Sequence, residues 1–220
     1  MAEATVPQLA DQSILNPGNL LMVQERERFL GRLLRSAGWT NLEPLRAFEA
    51  GCSTGYNLRM LVQWGARPEN VAGMDLDPAA VDYCRSHSPE IRVHAGSADA
   101  VPEATDTFDL AMAFTLFSSV PDEGVSRAIA SELVRITKPG GLIVVYDMRR
   151  KNPANKRVHP VSRADIARWF GGCRVRSRTM TPAPPLARVA GRRAPWTYGL
   201  LAALPPVRTH AMWVIRAPAP

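Results

Sequence analysis

The chain has 220 residues, a formal charge of +7, 46% hydrophobic and 21% charged residues. That length suits one domain with a core of its own, so neither disulfides nor a structural metal is required. No apolar run reaches the roughly 18 residues that a spanning helix needs, and residues 1–13 lack the basic-then-apolar order of a secretory signal. Cys52, Cys84 and Cys173 are too scattered for a CxxC metal site or a disulfide framework, so a reducing cytoplasm is the expected location. The charge is divided. Residues 1–148 carry 12 Lys and Arg against 19 Asp and Glu, whereas residues 149–220 carry 15 against Asp165, a swing from −7 to +14. Such an asymmetry bears on partners.

In chain order, strand-like and helix-like runs alternate. Val23, Phe29, Leu30, Leu33 and Leu34 recur at helical spacing, and Gly38 ends that run. Leu45–Glu49 reads as a strand entering a glycine turn, then Asn57–Trp64 as a helix closed by Gly65. A second strand, Asn70–Met74, ends at Asp75. Pro78 opens the helix Ala79–Ser86. Ile91–Ala95 is the third strand, and Phe108–Phe114 is a fourth, apolar throughout as a strand buried on both faces is. Glu123–Thr137 carries an apolar stripe and stops at Lys138-Pro139-Gly140-Gly141; Leu142–Tyr146 is the fifth strand. Ser162 is placed to cap the short helix Arg163–Phe170, with Asp165 at its third position. Arg174–Met180 and His210–Arg216 complete the strands. The alternation predicts a doubly wound, Rossmann-like α/β sheet of seven strands. The expected organisation is a single domain over 1–220: an N-terminal helical segment (1–44), a cofactor-binding core (45–147) and a substrate side (148–220) with a basic lid at 181–209.

The chemistry sits at the first strand's end, Glu49-Ala50-Gly51-Cys52-Ser53-Thr54-Gly55. Glycines there let the backbone turn sharply and approach a ligand, and open α/β sheets bind ligands beyond the carboxyl ends of their strands. Asp75, at the second strand's end, is placed to accept hydrogen bonds from a ribose diol. A nicotinamide site would need glycines near 51, 53 and 56, where this chain has Gly51, Ser53 and Tyr56. Glu49 also repels a pyrophosphate but suits a cationic ligand. An acid beside a glycine turn, followed by a ribose-reading acid, points to S-adenosylmethionine.

Residues 48–146 resemble a class I S-adenosylmethionine-dependent methyltransferase. The family's acid-x-G-x-G-x-G turn matches Glu49 to Gly55, with Ser53 in place of the middle glycine. Asp75 in GMDLDP, Gly96-Ser97-Ala98-Asp99, Phe108-Asp109-Leu110 and Lys138-Pro139-Gly140-Gly141 follow in order. The resemblance implies that Glu49, Gly51, Cys52, Ser53 and Gly55 hold the methionine end. It implies that Asp75 and Leu76 meet the ribose, Ala98 and Asp99 the adenine, and that Phe114, Thr115 and Leu116 line the cofactor. S-adenosylhomocysteine would be the product. Tyr146-Asp147-Met148-Arg149, Asn152-Pro153 and Val161-Ser162 resemble a bacterial subgroup associated with glycan biosynthesis. Together these imply methylation of a small-molecule or glycan-like, lipid-linked acceptor, at oxygen.

An oxygen nucleophile needs a base. Asp147, at the mouth of the fifth strand, and His159, in the loop beyond it, are the candidates, with Asp122 a weaker third; a histidine titrates near neutrality. No metal-ligand spacing is present. Residues 181–209 combine Arg188, Arg192 and Arg193 with Trp196, Tyr198, Leu200, Leu201 and Leu204. They read either as two short helices packing on the sheet, with the arginines solvated, or as an element that touches a membrane face peripherally. A basic, aromatic stretch also fits RNA, which makes an RNA methyltransferase the alternative. The Asn/Asp-Pro-Pro-aromatic element of base-amino methyltransferases is absent, however, and Phe114-Thr115-Leu116-Phe117 stands in its place. A non-catalytic, cofactor-binding partner of a biosynthetic enzyme is the alternative from another class.

Overall fold

The computed structural model describes residues 13–151 and 158–219. Asn152-Pro153 and the chain start to residue 12 lie outside the described residues. The elements run α1 (Pro17–Ser36), β1 (Ala47–Ala50), α2 (Tyr56–Gln63), β2 (Val71–Asp75), α3 (Pro78–His87), β3 (Arg92–Ala95) and β4 (Phe108–Phe114). They continue with α4 (Glu123–Ile136), β5 (Thr137–Met148), α5 (Arg163–Trp169), β6 (Arg174–Pro182), α6 (Pro184–Arg193), α7 (Tyr198–Ala203) and β7 (Arg208–Arg216).

The seven strands form one sheet in the order β3-β2-β1-β4-β5-β7-β6. Strands β1 to β5 pair in parallel. The order reverses between β1 and β4, which opens a crevice at their carboxyl ends. Core strands read as the sequence predicts: Phe48 in β1, Leu110 to Ala113 in β4 and Ile143 to Val145 in β5 are fully buried.

Caps set the helix starts. Asp77 Oδ1 accepts from Ala79 N at 3.0 Å, and Asp122 Oδ1 accepts from Val125 N at 2.9 Å. Ser162 and Asp165 form a reciprocal capping box, with bonds of 3.1 and 2.8 Å. Helix α1 begins six residues before the apolar repeat suggests, because Asn16 caps Gly18 N and Pro17 occupies the first position.

Strand β5 also differs from expectation, starting at Thr137 instead of Leu142. Phe108 pairs with Thr137 and Leu110 with Leu142, so the Lys-Pro-Gly-Gly stretch bulges from β5 rather than ending the element beforehand. Asp109 staples this bulge, accepting from Lys138 Nζ at 2.7 Å and from Arg46 N at 2.9 Å.

The chain divides into two compact units. One holds residues 41–178 and 212–220; the other holds 1–40 and 179–211. Strands β6 and β7 pass from one to the other. Within the second unit, α1 and α6 meet backbone to backbone: a Cβ on Gly191 would lie 2.1 Å from Gly18 N. Glu25 Oε2 accepts from Thr181 N at 3.1 Å and from the Tyr198 hydroxyl at 2.8 Å, and Arg188 Nε donates to Asn19 Oδ1 at 2.9 Å. Residues 181–209 thus hold the two short helices of one sequence reading.

Candidate active site

The β1–α2 loop is tied to the end of β2. Gly51 N and Cys52 N both donate to Met74 O, at 2.8 and 3.0 Å. Ser53 N donates to Asp75 Oδ2 at 2.7 Å, and Asp77 N donates to Asp75 Oδ1 at 2.9 Å. Each Asp75 oxygen is therefore held by one backbone N–H and keeps a further lone pair. The carboxylate is oriented before any ligand arrives.

Ser53, the departure from the glycine pattern, lies in the left-handed region at φ 46°. The loop takes the conformation the missing glycine would favour, and Ser53 bears the strain. Gly55 (φ 83°) has a second constraint, since a Cβ there would sit 2.3 Å from Cys84 Sγ. Glu49 is buried beneath the loop, and its Oε1 accepts from Asn57 Nδ2 at 2.6 Å. Cys52 is also buried, and burial pushes its thiol well up, away from nucleophilic character.

A cleft of about 280 Å³ opens at the switch point, bounded by Gly51, Asp75, Leu76, Ser97, Ala98 and Leu116. Six of the residues named from the sequence meet there: Gly51, Asp75, Leu76, Ala98, Leu116 and the candidate base Asp122. Glu49, Cys52, Ser53, Gly55, Asp99, Phe114 and Thr115 are not among its walls. The far wall is Ser119 to Asp122 with Val125 and Ile129, from the segment after β4 and the start of α4. Ser97 belongs to the Gly96–Asp99 motif, whereas Ser119 and Val120 fall in no motif. A short loop has no periodicity to announce it; its one signal is its place after the strand at the switch.

The segment after β4 is held from below. Asp147 is 0% exposed, and its two oxygens accept from Ser118 N at 3.0 Å and Met148 N at 2.7 Å. Burial raises its carboxyl above the usual range, against the pull of these donors. Asp122 caps α4 and also borders the cleft. His159 is exposed, and its backbone N donates to Ser118 O at 2.8 Å. It borders a second cavity of about 240 Å³ with Phe117 and Trp169, which stack at 4.9 Å. The two cavities share Val120 and Pro121. Among the described residues no cluster of His, Cys, Asp and Glu suits a metal.

Residues 47–141 match the family model described as a methyltransferase domain. This part of the chain is similar to the class I S-adenosylmethionine-dependent methyltransferases. The domain's residues fit that cofactor: the pre-oriented Asp75 suits a ribose diol, and a Cβ on Gly51 would press on Leu116 Cδ1 at 3.0 Å and narrow the cleft. The phthiotriol/phenolphthiotriol dimycocerosates methyltransferase of Mycobacterium leprae is 28% identical over 174 residues, 72% of this chain and 63% of that protein. The ubiquinone biosynthesis O-methyltransferase of Azorhizobium caulinodans is 28% identical over 147 residues, 64% of this chain and 55% of its own. The chain thus spans a little over half the length of these relatives. Magnesium protoporphyrin IX methyltransferase from Synechocystis superposes with a TM-score of 0.64 at 16% identity, covering 98% of this chain and 90% of that one. It shares the fold of the methyltransferase domain.

Proposed function

We propose that the chain transfers a methyl group from S-adenosylmethionine to oxygen of a small, lipid-type or glycan-like lipid-linked acceptor. The reading rests on Asp75, clamped by the Ser53 and Asp77 amides at the edge of the switch-point cleft. Two relatives are named for lipid-type acceptors or O-methylation, which favours that acceptor class. Bound in the cleft, S-adenosylmethionine supplies an electrophilic methyl on a sulfonium. In this reading Asp75 and Leu76 meet the ribose, while Ala98 and Asp99 attend the adenine. Gly51, Cys52, Ser53 and Gly55 form the loop around the methionine end, and Glu49 contributes negative charge to the cation. Phe114, which ends β4, and Thr115 after it line the cofactor in this reading.

The protein's share of catalysis is alignment, worth roughly 7–11 kcal/mol of barrier, and proton removal, worth roughly 10²–10⁴-fold. His159 is the base in this reading, because it is exposed beside the segment after β4. Asp147 acts as a positioning residue through Ser118, since it offers no open surface.

Calorimetry tests the cofactor assignment. Asp75→Ala removes charged hydrogen-bond acceptors and is expected to weaken S-adenosylhomocysteine binding by about tenfold or more. Unchanged affinity would overturn the ribose assignment. Transfer of labelled methyl into a cell extract tests the acceptor class: label in the organic phase supports it, and label in RNA or in no fraction overturns it.

A further inference from the structure

In the second unit, α6 buries Ala187 and Gly191, one turn apart, and turns Leu186 and Val189 away from that face. Further on, Tyr198 is buried, while Trp196 is 76% exposed, Leu200 62% and Leu204 51%. Five of the eleven large hydrophobics exposed among the described residues fall between 186 and 204, a concentration of apolar surface in one short stretch of chain. Arg192 and Arg193 are exposed in the last turn of α6, three and four residues beyond Val189, which brings cations to the apolar side chains. Residues 181–209 hold four arginines and no acid. The unit's described residues, 13–40 and 179–211, carry eight arginines against two glutamates, +6.

We infer that residues 186–204 dock the protein on an anionic lipid surface. Trp196 and the leucines would sit at the acyl boundary, and Arg192 and Arg193 at the headgroup phosphates. Charge decides among occupants. A second copy would bring +6 against +6. A nucleic acid satisfies the arginines but leaves the aliphatic side chains Leu186, Val189, Leu200 and Leu204 in water. A bilayer face with anionic headgroups accommodates both sets, as amphipathic interfacial helices do. No helix among the described residues is long and apolar enough to cross a membrane, so the mode is lying on the surface. The inference extends the lipid-type acceptor reading, yet its test needs neither acceptor nor methyl donor, so each fails separately.

The experiment is co-sedimentation of the full chain with vesicles of phosphatidylcholine alone or mixed with phosphatidylglycerol. Binding is expected only to the mixed vesicles, falling as salt rises. The double variant Trp196→Ser/Leu200→Ser is expected to bind at least about tenfold more weakly, since apolar burial drives insertion. Arg192→Gln/Arg193→Gln is expected to abolish the preference for phosphatidylglycerol. All four residues are exposed, and retained S-adenosylhomocysteine affinity with an unchanged melting temperature will show that the variants fold. No vesicle binding by the parent chain, variants that bind as well as it does, or RNA bound in preference to lipid would each overturn the inference.

Discussion

Ser53 carries the turn's departure from glycine in a conformation that penalises a side chain. A left-handed L-residue costs roughly 1–2 kcal/mol, partly offset by the entropy that glycine would lose on folding. Ser53→Gly is therefore expected to raise stability by about 0.5–1 kcal/mol. Its backbone bond to Asp75 would persist, so cofactor affinity should hold. A melting temperature that falls would show that the Ser53 side chain does something the backbone geometry does not reveal. His210 is a second informative residue. Burial and the neighbouring Arg26 charge lower it from 6.5 to about 4. Its folded value lies below its unfolded one, so the unfolded chain binds the extra proton between those values. Its contribution is complete above about pH 6.5 and declines as pH falls toward 4, by about 3 kcal/mol in total. Urea unfolding of the parent and of His210→Gln at several pH values isolates it: the difference should narrow below pH 6, and a constant difference would refute the assignment.

At the scale of elements, much was legible because caps and buried runs are local. Asp77-Pro78 and Ser162 with Asp165 open helices where the sequence places them, since each satisfies backbone N–H groups within a few residues. Ser162→Ala is expected to cost about 1 kcal/mol, read from thermal unfolding; a neutral result would mean that α5 is held by packing alone. The β5 start departs from the expected one for a physical reason. Pro-Gly-Gly usually ends an element, but here Asp109 clamps Lys138 and the bulge continues into the strand. That clamp lies 29 residues back along the chain and has no local signature.

For the whole molecule, the charge asymmetry of the sequence acquires a place. The cofactor-domain motifs lie in the acidic first two-thirds of the chain, and the basic remainder includes the helices that return to α1. Gly18 and Gly191 are 173 residues apart, yet one backbone rests on the other. This close fit is why Leu186 and Val189 are left outward and unburied, which is the geometry that the vesicle experiment reads.

The succession of strands and helices, the switch-point turn and the family it resembles can be read from the residues alone. Those features depend on local periodicity, capping and the backbone needs of a few consecutive residues. Which predicted residues border the cleft, the burial of Asp147 under the Ser118 loop and the outward side of α6 follow from the folded chain. Each of these is set by contacts between segments far apart in the chain, where burial and hydrogen-bond satisfaction, not local propensity, choose the outcome.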